Sequence, residues 1–293
     1  MTKRSLARWF FPFGAIRPVL FGVCRGMRYE VGPGIGATFC LGGEAFHHGF
    51  YQRVIRPGMH VWDLGANTGQ SLMALGRLVG SSGSVHSFEP VRELAELAAR
   101  QARLNGMDHV QVHCLAVSEQ DGSLEFDFSA EVPTQGKLRQ VEHDYQIADS
   151  KRRMVQAVSL DSFAMVNRLP RPDFIKIDVE GAGAAVFRGA WRTLGDHGPA
   201  VFMELHGPEE QQAVKELQTL GYALKKCPGK RSGIPRRNGT TRSSASVLEG
   251  RTPRAASVME TPAKSVRLPS LDGWRAHSSY TTEFPEELRP LFL

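Results

Sequence analysis

Asp178 and Glu180 stand two residues apart at the end of an apolar run that starts at Phe174, and Glu204 and His206 repeat that spacing on a later run. Residues two apart on a strand share a face, so each pair projects together. Open α/β sheets bind ligands at the carboxyl ends of their strands, so these four ionisable groups are expected to converge where a cleft opens. Asp178 or His206 can serve there as a base, with Glu180 and Glu204 beside them. Two carboxylates and a histidine could instead hold Mg2+ or Mn2+, but spacing alone does not make a metal site and none is assigned. Lys176 interrupts the apolar run and offers a cation to the same acids, so part of the cluster can be an ion-pair network.

Such a cleft needs a sheet, and the chain announces one earlier. Val61, Trp62, Asp63 and Leu64 form an apolar strand that runs into Gly65, Ala66, Asn67, Thr68 and Gly69, and a helix-forming run from Gln70 to Val79 follows. Glycines let the main chain take angles closed to other residues, and the free amides of the next helix point at the same place, a cradle for a nucleotide-type cofactor. The second glycine of a dinucleotide fingerprint is missing, since Ala66, Asn67 and Thr68 follow Gly65, and there is no Gly-Lys-Ser/Thr for a triphosphate. Asp63 would repel a phosphate and welcome an ammonium, which favours a cofactor with an amino-acid end. A second strand, residues 84–88, ends at Glu89 and Pro90, where an acid can accept both hydroxyls of a ribose. The competing role for Glu89 is to cap the helix that follows.

These blocks resemble the FkbM-type methyltransferases, which use S-adenosyl-L-methionine on a class I methyltransferase fold. The resemblance rests on Asp63 to Gly69, on Ser87, Phe88, Glu89 and Pro90, and above all on Phe174 to Gly181. Smaller matches are Leu104, Asn105 and Gly106, Leu115 to Ser118, Ser159 to Asp161, and Met203 with Glu204. It implies a Rossmann-like, doubly wound, mostly parallel sheet. It also implies that Asp63, Gly65, Ala66, Asn67, Thr68 and Gly69 hold the methionine part, Glu89 the ribose, and the segment around Ala116 and Val117 the adenine. Methyl transfer from a sulfonium needs the acceptor oxygen in line and one base, a role for the acids named above. The chain departs from the family where Gly181, Ala182 and Gly183 replace a usual Gly-Ala-Glu, so no role can be carried over to that third acid.

Around this domain, placed at 59–228, lie an N-terminal extension and lid at 1–58 and a tail at 229–293. Residues 1–23 mix Lys3, Arg4, Arg8 and Arg17 with Trp9, Phe10, Phe11, Phe13, Leu20 and Phe21, while prolines and glycines break every apolar run short of a membrane span. Packing on the domain is the expectation, with contact to an anionic membrane surface as the alternative. His47 and His48 fall in a lid helix expected between Gly42 and Arg56, and either could help bind an acceptor. The long insertion 123–158 should shape the acceptor pocket. From Lys225 to Arg275 there are 12 Lys and Arg against 3 Asp and Glu, a local +9 in a chain whose total is +6. That stretch reads as disordered, does not favour a nucleic-acid partner, and shows no sign of the final antiparallel strand that the resemblance implies.

The expectation is therefore an O-methyltransferase acting on a small metabolite, a sugar or a glycosylated or polyketide-like acceptor. The alternative is a catalytically impaired or non-catalytic cofactor-binding protein whose basic tail associates with membrane or nucleic acid. A hydride-transfer enzyme is disfavoured by the missing glycine pattern. Four scattered cysteines, Cys24, Cys40, Cys114 and Cys227, match no zinc or redox spacing and suit a reducing cytoplasm.

Overall fold

A computed structural model describes residues 10–32, 36–42, 45–129, 136–138, 150–179, 182–205, 208–226 and 244–249. The short apolar runs of the sequence become the strands of one central sheet. They are β3 (His60–Leu64), β4 (Ser84–Phe88), β5 (Val110–His113), β10 (Phe174–Ile177), β11 (Ala200–Leu205), β12 (Ala223–Lys226) and β13 (Ser244–Glu249). Their spatial order is β12-β13-β11-β10-β3-β4-β5. Neighbours from β5 to β11 pair in parallel, and β13 runs antiparallel to both β11 and β12. The strand order reverses between β3 and β10, the switch point at which such sheets open a crevice. The final antiparallel strand, of which the tail's sequence shows no sign, is present as β13, a correction to the sequence-based expectation; it is held by pairing on both sides rather than by its own apolar pattern.

Parallel strands buried on both faces read as near-continuous apolar runs, and two cores account for that here. One face carries Val61, Val85, Phe174 and Phe202 under α2 (Ala45–Val54), α3 (Gln70–Val79) and α4 (Arg92–Leu104). The other carries Trp62, Leu64, Phe88, Ile175, Ile177, Val201 and Met203 under α5 (Leu160–Asn167), α6 (Gly183–Gly189), α7 (Trp191–His197) and α8 (Pro208–Thr219). Each fully buried side chain of this size contributes about 1.5–3 kcal/mol, so these two layers fix the sheet on which the loops are mounted.

A hairpin of β1 (Ile16–Pro18) and β2 (Arg28–Glu30) precedes the sheet, followed by the short helix α1 (Gly36–Cys40). Glu30 accepts from Arg100 of α4 at 2.9 and 3.1 Å and fastens the hairpin to the domain. The insertion folds as a second sheet of four strands, β6 (Ala116–Val117), β7 (Gly122–Ser129), β8 (Gly136–Leu138) and β9 (Ser150–Val158), ordered β6-β9-β7-β8. The polar middle of the insertion, and the tail from 250 onward, lie outside the described residues. After β10 the chain forms two short helices, α6 and α7, separated at Ala190, whose φ of −117° leaves the helical range.

Candidate functional site

The site grows from the ends of β3, β10 and β11. Lys176, central in β10 and 2% exposed, extends its ammonium along the sheet face, where it donates to the carbonyl of Gly65 at 2.7 Å and lies 3.3 Å from Asp63 Oδ1 and 3.6 Å from Asp178 Oδ2. Burial works against that charge, but Asp63 and Asp178, then Tyr51 and Glu204, outweigh it and hold the ammonium above the ordinary lysine range. Asp63 is 0% exposed, and its second oxygen accepts from the Ser87 hydroxyl at 3.2 Å. Its charge is thus met inside the protein by Lys176. Asp178, by contrast, keeps its side chain 32% exposed at the cleft.

The loop from Gly65 to Gly69 is built by contacts within the chain. Gly65 takes a left-handed φ of +82°, and a side chain there would collide with the Asp178 carbonyl oxygen, so glycine is what lets the neighbouring strand approach. Asn67 holds a left-handed φ of +51° and accepts from the Thr68 amide at 2.8 Å. The Thr68 hydroxyl meets Tyr29 Oη at 3.1 Å, and Gln70 donates to the same oxygen at 3.0 Å. Tyr29 escapes sequence reasoning, since it sits 39 residues upstream in a three-residue strand. Gly69 gives α3 no side-chain cap, so the amides of its first turn face the loop as the cradle reading requires.

Glu89 lies at the end of β4, 5% exposed, with one oxygen accepting from the Asn67 amide and the other from the Val91 amide, both at 2.9 Å. It therefore tethers the loop to the amide that precedes α4, whose N-cap Val91 has no side-chain cap bond, while retaining lone pairs for further donors. Burial pushes its carboxyl up to about 7 against the pull of those two amides. Ala116 and Val117 are each 4% exposed and pair with β9, and their side chains enter two different apolar cores. The period of the strand turns both side chains into packing.

The helix expected as a lid is α2, but most of it is bedded on the sheet. Phe50, Tyr51 and His48 are 3%, 0% and 4% exposed, and the rings of Phe50 and Tyr51 pack on Phe174 and Phe202. His48 packs beside Phe39. His47 is the exception: its Nε2 lies 3.4 Å from Glu204 Oε1, with the two side chains 26% and 17% exposed. Glu204 follows the Ile177–Met203 pair just as Asp178 does on β10, so both acids reach the same edge. Glu180 and His206 lie outside the described residues, so the histidine brought to Glu204 within them is His47 from far earlier in the chain. Among the described residues no group of three His, Cys, Asp or Glu side chains has the geometry to hold a metal ion. Cys24, Cys40 and Cys114 are free thiols, and no described helix is long and apolar enough to cross a membrane.

A doubly wound sheet with a glycine loop, a strand-end acid and a charged cluster around its switch point defines a Rossmann-like α/β domain of the class I methyltransferase type. The profile described as "Methyltransferase FkbM domain" matches residues 63–227, more than half of the chain, and the protein belongs to that family. Among solved structures, methyltransferase FkbM from Methylobacillus flagellatus is 18% identical over 72% of this chain and 52% of its own, with a TM-score of 0.45. The chain thus spans about half the length of that relative. A SAM-dependent O-methyltransferase from Thermotoga maritima is 16% identical over 74% of this chain and 67% of its own, with a TM-score of 0.42. A putative methyltransferase from Streptococcus mutans in complex with SAH is 10% identical over 70% and 95%, at 0.41. No curated protein matches the chain.

Proposed function

We propose that this protein is an S-adenosyl-L-methionine-dependent methyltransferase that methylates a hydroxyl oxygen on a small metabolite, such as a sugar or a glycosylated or polyketide-like acceptor. The observation that carries this reading, in a chain of this family, is the His47–Glu204 pair beside Asp178 at the switch-point edge of the sheet. The residues fit the cofactor. Glu89 is a buried carboxylate met only by two amides, and a pair of ribose hydroxyls would complete its shell. The uncapped first turn of α3 suits a carboxylate, and Asp178, paired with Lys176 yet partly exposed, offers negative charge to an ammonium at the same edge. When bound, the cofactor supplies an electrophilic methyl group on a sulfonium.

The chain supplies position and a proton acceptor. A hydroxyl held in line needs no strong activation beyond removal of its proton, and alignment alone accounts for a large share of such a barrier. His47, in its neutral form, takes that proton, and Glu204 fixes the ring and favours the imidazolium that results. Asp178 and Lys176 hold the loop edge against which donor and acceptor meet. Calorimetry with S-adenosyl-L-methionine tests the first step, and saturable binding weakened by Glu89→Ala is expected. A methyl-transfer screen over hydroxylated and amine metabolites tests the second; transfer confined to amines would overturn the oxygen assignment, and absence of saturable binding would overturn the cofactor.

A further inference from the structure

Nine large apolar side chains are prominently exposed among the described residues, and five of them fall within the twelve residues 10–21. They are Phe10 at 53%, Phe13 at 75%, Ile16 at 48%, Leu20 at 42% and Phe21 at 37%. Exposed apolar residues scattered singly need no explanation, but a concentration of this kind marks a surface that meets something. The segment is firmly mounted. Val19 and Val23 are 2% and 9% exposed in the core, the Gly14 and Val31 amides bond across the hairpin at 2.9 Å each, and β2 is tied to α4 through Arg100 and Asn105. The outward side chains are therefore presented by a fixed frame.

The charge around them is mostly positive, since Glu30, opposite Ile16 on the hairpin, is engaged by Arg100. Between Met1 and Tyr29 the sequence holds six Lys and Arg and no Asp or Glu, and Arg25 and Arg28 lie exposed on the same hairpin as the apolar residues. We propose that residues 10–21 form a docking surface for an anionic lipid interface. Apolar side chains enter the boundary between headgroups and acyl chains while the arginines meet the phosphates, the two-signal combination that stable but reversible membrane contact requires. Phe13 stands three-quarters exposed beside a turn, a wedge shape suited to a soft interface. The reading stands apart from the chemistry proposed above, since no residue of the hairpin surface belongs to the cleft.

Co-sedimentation of the full chain with phosphatidylcholine vesicles, with and without phosphatidylglycerol, tests it. Partitioning at least about tenfold stronger onto the anionic vesicles, and reversed by salt, is expected. The double variant Phe10→Asp/Phe13→Asp, and separately Arg25→Glu, should each weaken it by about tenfold while thermal melting is unchanged, because all three side chains face solvent. Equal binding to neutral and anionic vesicles, or none to either, overturns the proposal without recourse to any variant. Self-association of the wild type that the double variant abolishes, without vesicle binding, would instead assign the surface to a second copy of the chain.

Discussion

Asp63 and Glu89 end neighbouring parallel strands and are both buried, yet the fold treats them in opposite ways. Asp63, wholly buried, lies 3.3 Å from the Lys176 ammonium and stays part of a charge pair. Glu89, on the other side of the glycine loop, has two backbone amides at 2.9 Å and no cation in contact, and burial pushes its carboxyl up to about 7. The Asp63 half of the edge is a permanent charge network. The Glu89 half is poised, because a group that titrates near neutrality can be tipped by a ligand that prefers one of its two forms. The lesson is that burial alone does not say what an acid does; the sign and number of its donors do.

Removing the cation should break the first half most severely. Lys176→Met leaves Asp63 buried and uncompensated, which costs about 3–5 kcal/mol, a large part of the roughly 5–15 kcal/mol that holds a domain folded. Denaturant unfolding should show that loss, and Lys176→Met/Asp63→Asn should recover much of it; an additive double variant would mean that the pair is not coupled.

The second half should reveal itself through pH. A carboxyl raised from 4.5 to about 7 in the folded protein binds its proton more tightly there than in the unfolded chain. Its contribution is complete below about pH 4.5 and is lost as the pH rises through about 7, a change on the order of 3 kcal/mol. Glu89→Gln should flatten that part of the stability profile, whereas Asp63→Asn should leave its slope in place.

At the outer rim of the charged half, His47→Gln should lower turnover by about a hundredfold, roughly 2.7 kcal/mol in the barrier, with little change in cofactor affinity. Glu204→Gln should give a smaller loss and a shifted pH–rate profile, and an unshifted profile would leave Glu204 no part in holding the base. The smallest effect expected concerns binding. If ribose hydroxyls donate to Glu89, affinity for S-adenosyl-L-methionine rises with pH about tenfold per unit below about 7, or roughly 1.4 kcal/mol per unit, then levels off. Calorimetry in buffers of different ionisation enthalpy would detect the accompanying release of a proton.

Much of this was legible in the chain because it is local. The strands β3, β4 and β10 are contiguous apolar runs, and the loop from Gly65 to Gly69 carries its own turn chemistry. Contiguity also has limits. Ala116 and Val117 sit in a motif-like stretch, but pairing with β9 draws their side chains into packing. Two adjacent histidines cannot be told apart by composition, yet the 3.6-residue period of α2 points His48 inward and His47 at Glu204. β13 lacks a periodic signature of its own and exists through its two partners.

The sequence by itself determined the order of elements, the family, and the acids that end the strands, since these depend on residues close together along the chain. Only the tertiary structure decided which acids share the Lys176 ammonium, which glycine makes room for a neighbouring strand, and which histidine reaches Glu204 among the described residues. Lys176 and Asp63 are neighbours because β10 and β3 pair, and His47 meets Glu204 because α2 lies on the sheet. Such contacts join residues more than a hundred positions apart, and spacing along the chain carries no record of them.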